Sequence, residues 1–152
     1  MNILVVCTAN MCRSPMAEAV FRSRFGHAGM RMDVQSAGVA ASPGQPIHPV
    51  VADLLAQRGY SIDAKKRAQS ILHPLVGVSD LVLVTETRQK RVLDARFPSA
   101  VGKFWLLGQW VKTREIPDPI GKDHAFFEAT LDLIEASVDS WIPNLNRIAF
   151  DR

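Results

Sequence analysis

The sequence predicts a single α/β domain in which a parallel sheet is covered by helices on both faces. Three observations predict it. Short runs of β-branched and aliphatic residues recur along the chain, and stretches with apolar residues at helical spacing lie between them. The run SDLVLVT, 79–85, is continuously apolar between polar ends, as a central parallel strand covered on both faces requires. Strands alternating with helices imply right-handed crossovers, and 152 residues suit one domain with its own core.

The elements follow in order. NILVV, 2–6, reads as a short buried strand. Ser14 as N-cap and Pro15 at the first helical position then open a helix. Its Ala17, Val20, Phe21 and Phe25 repeat at three- and four-residue spacing to about Gly26. MDVQSAG, 32–38, is a second strand running into a loop. ASPGQPIHP, 41–49, has three prolines and a glycine and is a loop; Pro49 starts the next helix, which Gly59 closes. The strand at 79–85 is followed by a helix over 87–96 that stops before Pro98. GKFWLL, 102–107, is the fourth strand, and IPDPIGKD, 116–123, a proline-rich loop. In the last helix, about 125–147, Phe127, Leu131, Ile134, Val138 and Trp141 are core by their spacing. The expected architecture is thus three layers around a four-stranded parallel sheet, one domain over 1–152.

Composition narrows the class. Hydrophobic residues are 47% and charged residues 22%, a soluble balance. No apolar run approaches the ~20 residues that span a bilayer, and no secretory leader is visible, so a cytoplasmic location without membrane insertion is expected. Cys7 and Cys12 are too few for a disulfide framework and are thiols in a reducing compartment. The formal charge is +3. Its basic clusters, KKR at 65–67 and RQKR at 88–91, lack the interleaved aromatic residues of a single-strand platform. They read as solvated helix faces rather than a nucleic-acid surface.

The chemistry concentrates in VCTANMCRSP, 6–15, where Cys7 and Arg13 frame a C-x5-R loop between a strand and a helix. The backbone N–H groups of Thr8, Ala9, Asn10, Met11 and Cys12 can curl into a nest for an anion, reinforced by the helix N-terminus. Arg13 supplies a planar fork that matches two phosphate oxygens. Cys7 lies in the same positive field, which favours its thiolate. Asn10 tolerates the left-handed backbone of a tight nest and can hydrogen-bond the loop or a neighbour. Ser14 has two competing roles, helix cap or donor to the thiolate. The plain alternative is an inert core cysteine with a surface arginine. A Walker loop is excluded because the stretch has neither glycine nor lysine. Zinc ligation lacks a second Cys/His pair, and His27, His48, His73 and His124 are scattered structural or surface residues.

Thiolate attack on a phosphate ester needs an acid at the leaving oxygen. Asp118 is the leading candidate, between Pro117 and Pro119 in a loop beyond the fourth strand. An Asx-turn role explains the same aspartate equally well. Asp80 and Asp123 read as caps, and Glu86, just past a strand, as a weaker alternative acid.

VCTANMCRSPMAEAVF, with SAG at 36–38 and DP at 118–119, resembles the low-molecular-weight protein tyrosine phosphatases over essentially the whole chain, and EIPDP is similar to bacterial members. The resemblance implies a four-stranded parallel sheet and no metal or organic cofactor. It implies Cys7 as nucleophile, Arg13 as phosphate clamp, Asn10 as loop support, Ser14 as aid to the thiolate and Asp118 as general acid. It implies a phosphotyrosine protein substrate, with a bacterial tyrosine kinase of polysaccharide export as a candidate partner. The chain departs from the family pattern at Ile120 and Gly121, where an aromatic usually follows DP, and has no aromatic at 39–48. Met11 and Ile47 are the apolar walls expected instead. Tyr60 is the only tyrosine, so regulatory tandem tyrosines are missing. Two other chemistries use the same loop. Arsenate reduction on this scaffold needs relay cysteines downstream of Cys12, and there are none. A redox-regulated phospho-binding module rests on a Cys7–Cys12 disulfide forming under peroxide.

Overall fold

The computed structural model describes residues 1–150. Four strands form one sheet: β1 (Asn2–Cys7), β2 (Asp33–Gly38), β3 (Leu81–Val84) and β4 (Phe104–Leu106), in the order β2-β1-β3-β4. Every pairing is parallel. The central strands, β1 from Ile3 onward and all of β3, are apolar and buried because both faces are covered. Side chains alternate across a strand. Ile3 and Val5 of β1 join Leu81 and Leu83 of β3 in one core. Leu4 and Val6 join Val82 and Val84 in the other.

Helices α1 (Arg13–Ala28), α2 (Pro49–Gln57) and α5 (His124–Phe150) cover the first face. Helices α3 (His73–Val78) and α4 (Thr87–Arg96) cover the second. Trp141 of α5 is fully buried and donates its indole N–H to the Leu107 carbonyl at 2.7 Å, tying α5 to the end of β4. Among the described residues, no helix is long and apolar enough to cross a membrane.

Most elements form where the sequence places them, with four corrections. Helix α1 starts at Arg13 with Cys12 as N-cap and no side-chain cap, so Ser14 lies inside the helix and Pro15 at its third position. The Ser14 hydroxyl has a stronger partner elsewhere, described below. Helix α3 was not expected; HPLVGV is too short to display a period. Strand β4 is three residues, because Pro98–Lys103 winds as a 3-10 turn up to its start. The KKR cluster lies in the loop between α2 and α3, not on a helix, and Lys66 turns inward.

The register brings Cys7 opposite Gly38 at the carboxyl ends of β1 and β2. The loops after all four strands therefore open at one edge of the sheet, where open α/β sheets bind ligands.

Candidate active site

Strand β1 carries Cys7 to the base of the loop, where it is 2% exposed. The loop folds back around the sulfur. The Asn10 N–H donates to Cys7 Sγ at 3.3 Å, and Ser14 Oγ lies 2.9 Å from the same sulfur. Asn10 makes this turn with φ of 57°, inside the left-handed region where asparagine is tolerated.

The Asn10 carboxamide then spans the loop. Its Nδ2 donates to Ser14 Oγ at 2.8 Å and to Ser36 Oγ at 2.9 Å. Its Oδ1 accepts from the Gln69 N–H at 3.0 Å and from Lys66 Nζ at 3.4 Å. Ser14 thus accepts from Asn10 and has a single proton to give. The sulfur at 2.9 Å is a much better acceptor position than the Ala37 carbonyl at 3.5 Å. Of the two roles read for Ser14, the geometry supports the donor to sulfur and not the cap. An α1 terminus without a side-chain cap keeps its first N–H groups available to an anion.

The rest of the loop is fixed from its neighbours. The Cys7 and Thr8 carbonyls accept from the Val39 and Ala40 N–H groups at 3.0 and 2.9 Å. The Met11 carbonyl accepts from the His48 N–H at 3.0 Å. Gln89 of α4 is buried and donates Nε2 to Thr8 Oγ1 at 3.1 Å. Ala9 passes Gly38, where an added Cβ would lie 2.5 Å from the Thr8 carbonyl oxygen. Met11 and Ile47 are partly buried against the core beside the loop.

Arg13 is 2% exposed yet charged, and three groups hold its fork. Nη1 donates to the Ile116 carbonyl at 2.9 Å and faces Glu86 Oε1 at 3.1 Å. Nη2 lies 3.9 Å from Asp118 Oδ2. Glu86 is the N-cap of α4, where it shares a capping box with Gln89. It is the arginine's counter-ion, a role that its position past a strand did not announce. Asp118 is half exposed, and its Oδ1 accepts the Ile120 N–H at 3.0 Å. Both readings of Asp118 therefore hold together: one oxygen closes an Asx turn and the other points toward Arg13.

Cys12 lies inside the loop, 3% exposed. Burial, reinforced by the charges of Cys7 and Asp118, pushes its thiol up from 9.0 to about 12, with Arg13 opposing. It is a thiol at every working pH, and both cysteines are free. Two histidines serve the fold: His48 caps α2, accepting the Val50 N–H at 3.2 Å, and His73 packs edge-on against Phe97.

Sequence reasoning brought Cys7, Asn10, Arg13, Ser14 and Asp118 to one place, and the structure brings them together. It missed Ser36, Lys66, Gln69, Glu86 and Gln89 as supports. Only SAG at 36–38 carried a signal; the others act across long separations that spacing does not reveal.

Comparison with known proteins places the chain among phosphatases of one family. The family model for low molecular weight phosphotyrosine protein phosphatase matches residues 2–149. A probable low molecular weight protein-tyrosine-phosphatase, EpsP of Ralstonia solanacearum, is 40% identical, covering 97% of each chain. The tyrosine phosphatase Wzb of Escherichia coli K30, solved with sulphate, superposes with a TM-score of 0.86 at 29% identity, covering 95% of this chain and 97% of that one. The YwlE arginine phosphatase of Geobacillus stearothermophilus superposes with a TM-score of 0.86 at 28% identity, covering 99% of this chain and 96% of that one.

Proposed function

This chain belongs to the low molecular weight phosphotyrosine protein phosphatase family and is a protein-tyrosine-phosphatase of bacterial type, and from that premise we propose that Cys7 is its nucleophile. Cys7 Sγ attacks phosphorus, forming an S–P bond as the P–O bond to the tyrosyl oxygen breaks. Asp118 gives its proton to that oxygen. Water then attacks the cysteinyl phosphate, Asp118 takes the water's proton, and inorganic phosphate leaves as the S–P bond returns its electrons to sulfur. Arg13 and the amides of residues 8–13 hold the phosphoryl oxygens throughout, and Ser14 Oγ donates to the sulfur whenever it carries charge.

One observation carries the assignment. The sulfur accepts from Asn10 and Ser14 at one end of a loop, and an arginine buried on Glu86 and the Ile116 carbonyl closes the other end. The natural substrate in this proposal is a cytoplasmic phosphotyrosine protein, with an autophosphorylated bacterial tyrosine kinase as the candidate. The roles of Thr8, Ala9, Met11 and Cys12 are main-chain contacts to phosphate, without metal.

The test is turnover of p-nitrophenyl phosphate by Cys7→Ser, with phosphate binding followed in parallel. Turnover should vanish while phosphate still binds. Retained turnover removes the mechanism. A panel of phosphotyrosine, phosphoserine and phosphoarginine on the wild type then fixes the substrate class. Phosphotyrosine should lead; a dominant phosphoarginine rate would instead match the arginine phosphatases on this fold. The phosphoarginine arm is motivated by Ile120 and Gly121, which stand directly after Asp118-Pro119 where the family usually carries an aromatic.

A further inference from the structure

We infer that Lys66 is a positioning residue for the nucleophile, its ammonium bracing Asn10 from behind the loop and placing positive charge at the back of Cys7. The inference rests on Cys7 being the nucleophile. Lys66 Nζ reaches Asn10 Oδ1 at 3.4 Å and the Ser36 carbonyl at 3.3 Å, behind the point where Asn10 Nδ2 meets the Ser36 hydroxyl at 2.9 Å. Its backbone is pinned on either side. The Lys66 N–H donates to the Asp63 carbonyl at 3.0 Å, and Arg67 bridges Pro46.

The groups facing this ammonium come from three elements. Glu18 and Arg22 face it from α1, Cys7 from the end of β1, and Asp63 from its own loop. Glu18 is itself 6% exposed, with Arg22 Nη2 at 3.6 Å. Burial pushes Lys66 below the ordinary lysine value, with Arg22 adding to that push and Glu18, Cys7 and Asp63 opposing it. Burial likewise pushes Glu18 up against the pull of Lys66 and Arg22. Desolvating a charge pair is costly, and an apolar side chain of lysine's length would fill the space without that cost. The hydrogen bond is not the missing reason either. The Gln69 N–H already holds Asn10 Oδ1 at 3.0 Å, and Gln69 Nε2 holds the Ser36 carbonyl at 2.9 Å. What Lys66 alone brings is its charge, one hydrogen bond removed from the loop that must keep a thiolate.

The test compares wild type with Lys66→Gln, Lys66→Met and Lys66→Arg. Cys7 alkylation by iodoacetamide is followed by peptide mass spectrometry between about pH 5 and 9, the range in which activated thiols ionise. The pH profile of kcat/KM for p-nitrophenyl phosphate is measured in parallel; the substrate's own ionisation is common to all four proteins and cancels. In the Gln and Met variants the half-maximal pH of alkylation should rise by about 0.5 unit or more, as loss of a nearby opposite charge requires. The acid limb of kcat/KM should follow it. The plateau kcat should stay within about threefold, because Gln69 still holds Asn10. Lys66→Arg should restore the wild-type profile. Profiles of Gln and Met that superimpose on wild type overturn the inference. So does a fall in plateau kcat without a shift, which marks Lys66 as filler. Thermal unfolding of each variant verifies that it is folded, and Gln keeps a polar group should Met destabilise the loop. If Cys7→Ser retains turnover, the nucleophile assignment falls and this inference with it. If Cys7→Ser is dead while the Lys66 profiles do not move, the inference alone falls.

Discussion

At the scale of single residues, the carboxylates of the site divide their two oxygens between different partners. The carboxylate of Asp118 is the clearest case: Oδ1 closes a turn with the Ile120 N–H, and Oδ2 faces Arg13 at 3.9 Å. Asparagine keeps the turn oxygen but has no acidic proton to transfer. Asp118→Asn should therefore leave the loop in place and remove general-acid catalysis, a loss of about 10²–10⁴-fold for a phenol-like leaving group. Aryl phosphates whose leaving groups are already stable anions should lose much less. The check is kcat against leaving-group pKa in both proteins, where the slope should steepen in the variant. A uniform loss across the series would make Asp118 a positioning residue. Glu86 cannot replace it, because its Oε1 is held by Arg13 and its Oε2 lies 2.9 Å from Arg88.

At the scale of elements, what the sequence announced and what it hid separate by distance along the chain. Strand β1, α2 and α4 follow from local pattern: an apolar run, a proline start with a glycine stop, and a period ending before Pro98. The α1 start was misread because Ser14 followed by Pro15 is a good cap signal, and the competing attraction of the Cys7 sulfur exists only in the folded loop. Lys66 was misread for the same reason; a basic triplet looks solvated until Asn10, 56 residues away, is placed beside it. Gly38 shows how an element end controls the site. It closes β2 opposite Cys7, and a Cβ there would meet the Thr8 oxygen at 2.5 Å, the Ala41 Cβ at 3.0 Å and the Ala9 carbonyl carbon at 3.1 Å. Backbone cannot rotate away as a side chain can, so the loop must shift. Gly38→Ala should cost about 1–3 kcal/mol in urea unfolding, the usual range for overpacking. It should also lower kcat for p-nitrophenyl phosphate, since Thr8 and Ala9 line the proposed anion nest. Unchanged stability with unchanged kcat would mean that β2 and the loop are not in contact in solution.

At the scale of the whole molecule, placing the loop at the sheet edge buries a second cysteine, Cys12, within it, and that thiol couples folding to pH. Cys12 is displaced from 9.0 to about 12 in the folded protein, chiefly by burial. In the unfolded chain it ionises near its ordinary value. Above about pH 9 the unfolded state therefore loses a proton that the folded state retains. A folded-state value raised above the unfolded one gives stability that is complete below the unfolded value and declines as pH rises toward the folded one. The decline has a limiting slope of about 1.4 kcal/mol per pH unit for one such group. Tyr60, buried at the α2 end with its hydroxyl on Glu135, is pushed up by burial and by that carboxylate, and it adds a decline of the same sign. In Cys12→Ala the packing loss should be the same at every pH, because a buried side chain is removed, while the loss of the thiol should flatten the alkaline decline. The two effects separate in urea unfolding measured from about pH 8 to 10.5: the offset belongs to packing and the change of slope to ionisation. The variant's curve should converge on the wild type as pH rises. Parallel curves across the range would mean that Cys12 ionises as freely folded as unfolded, and that the loop is open to water.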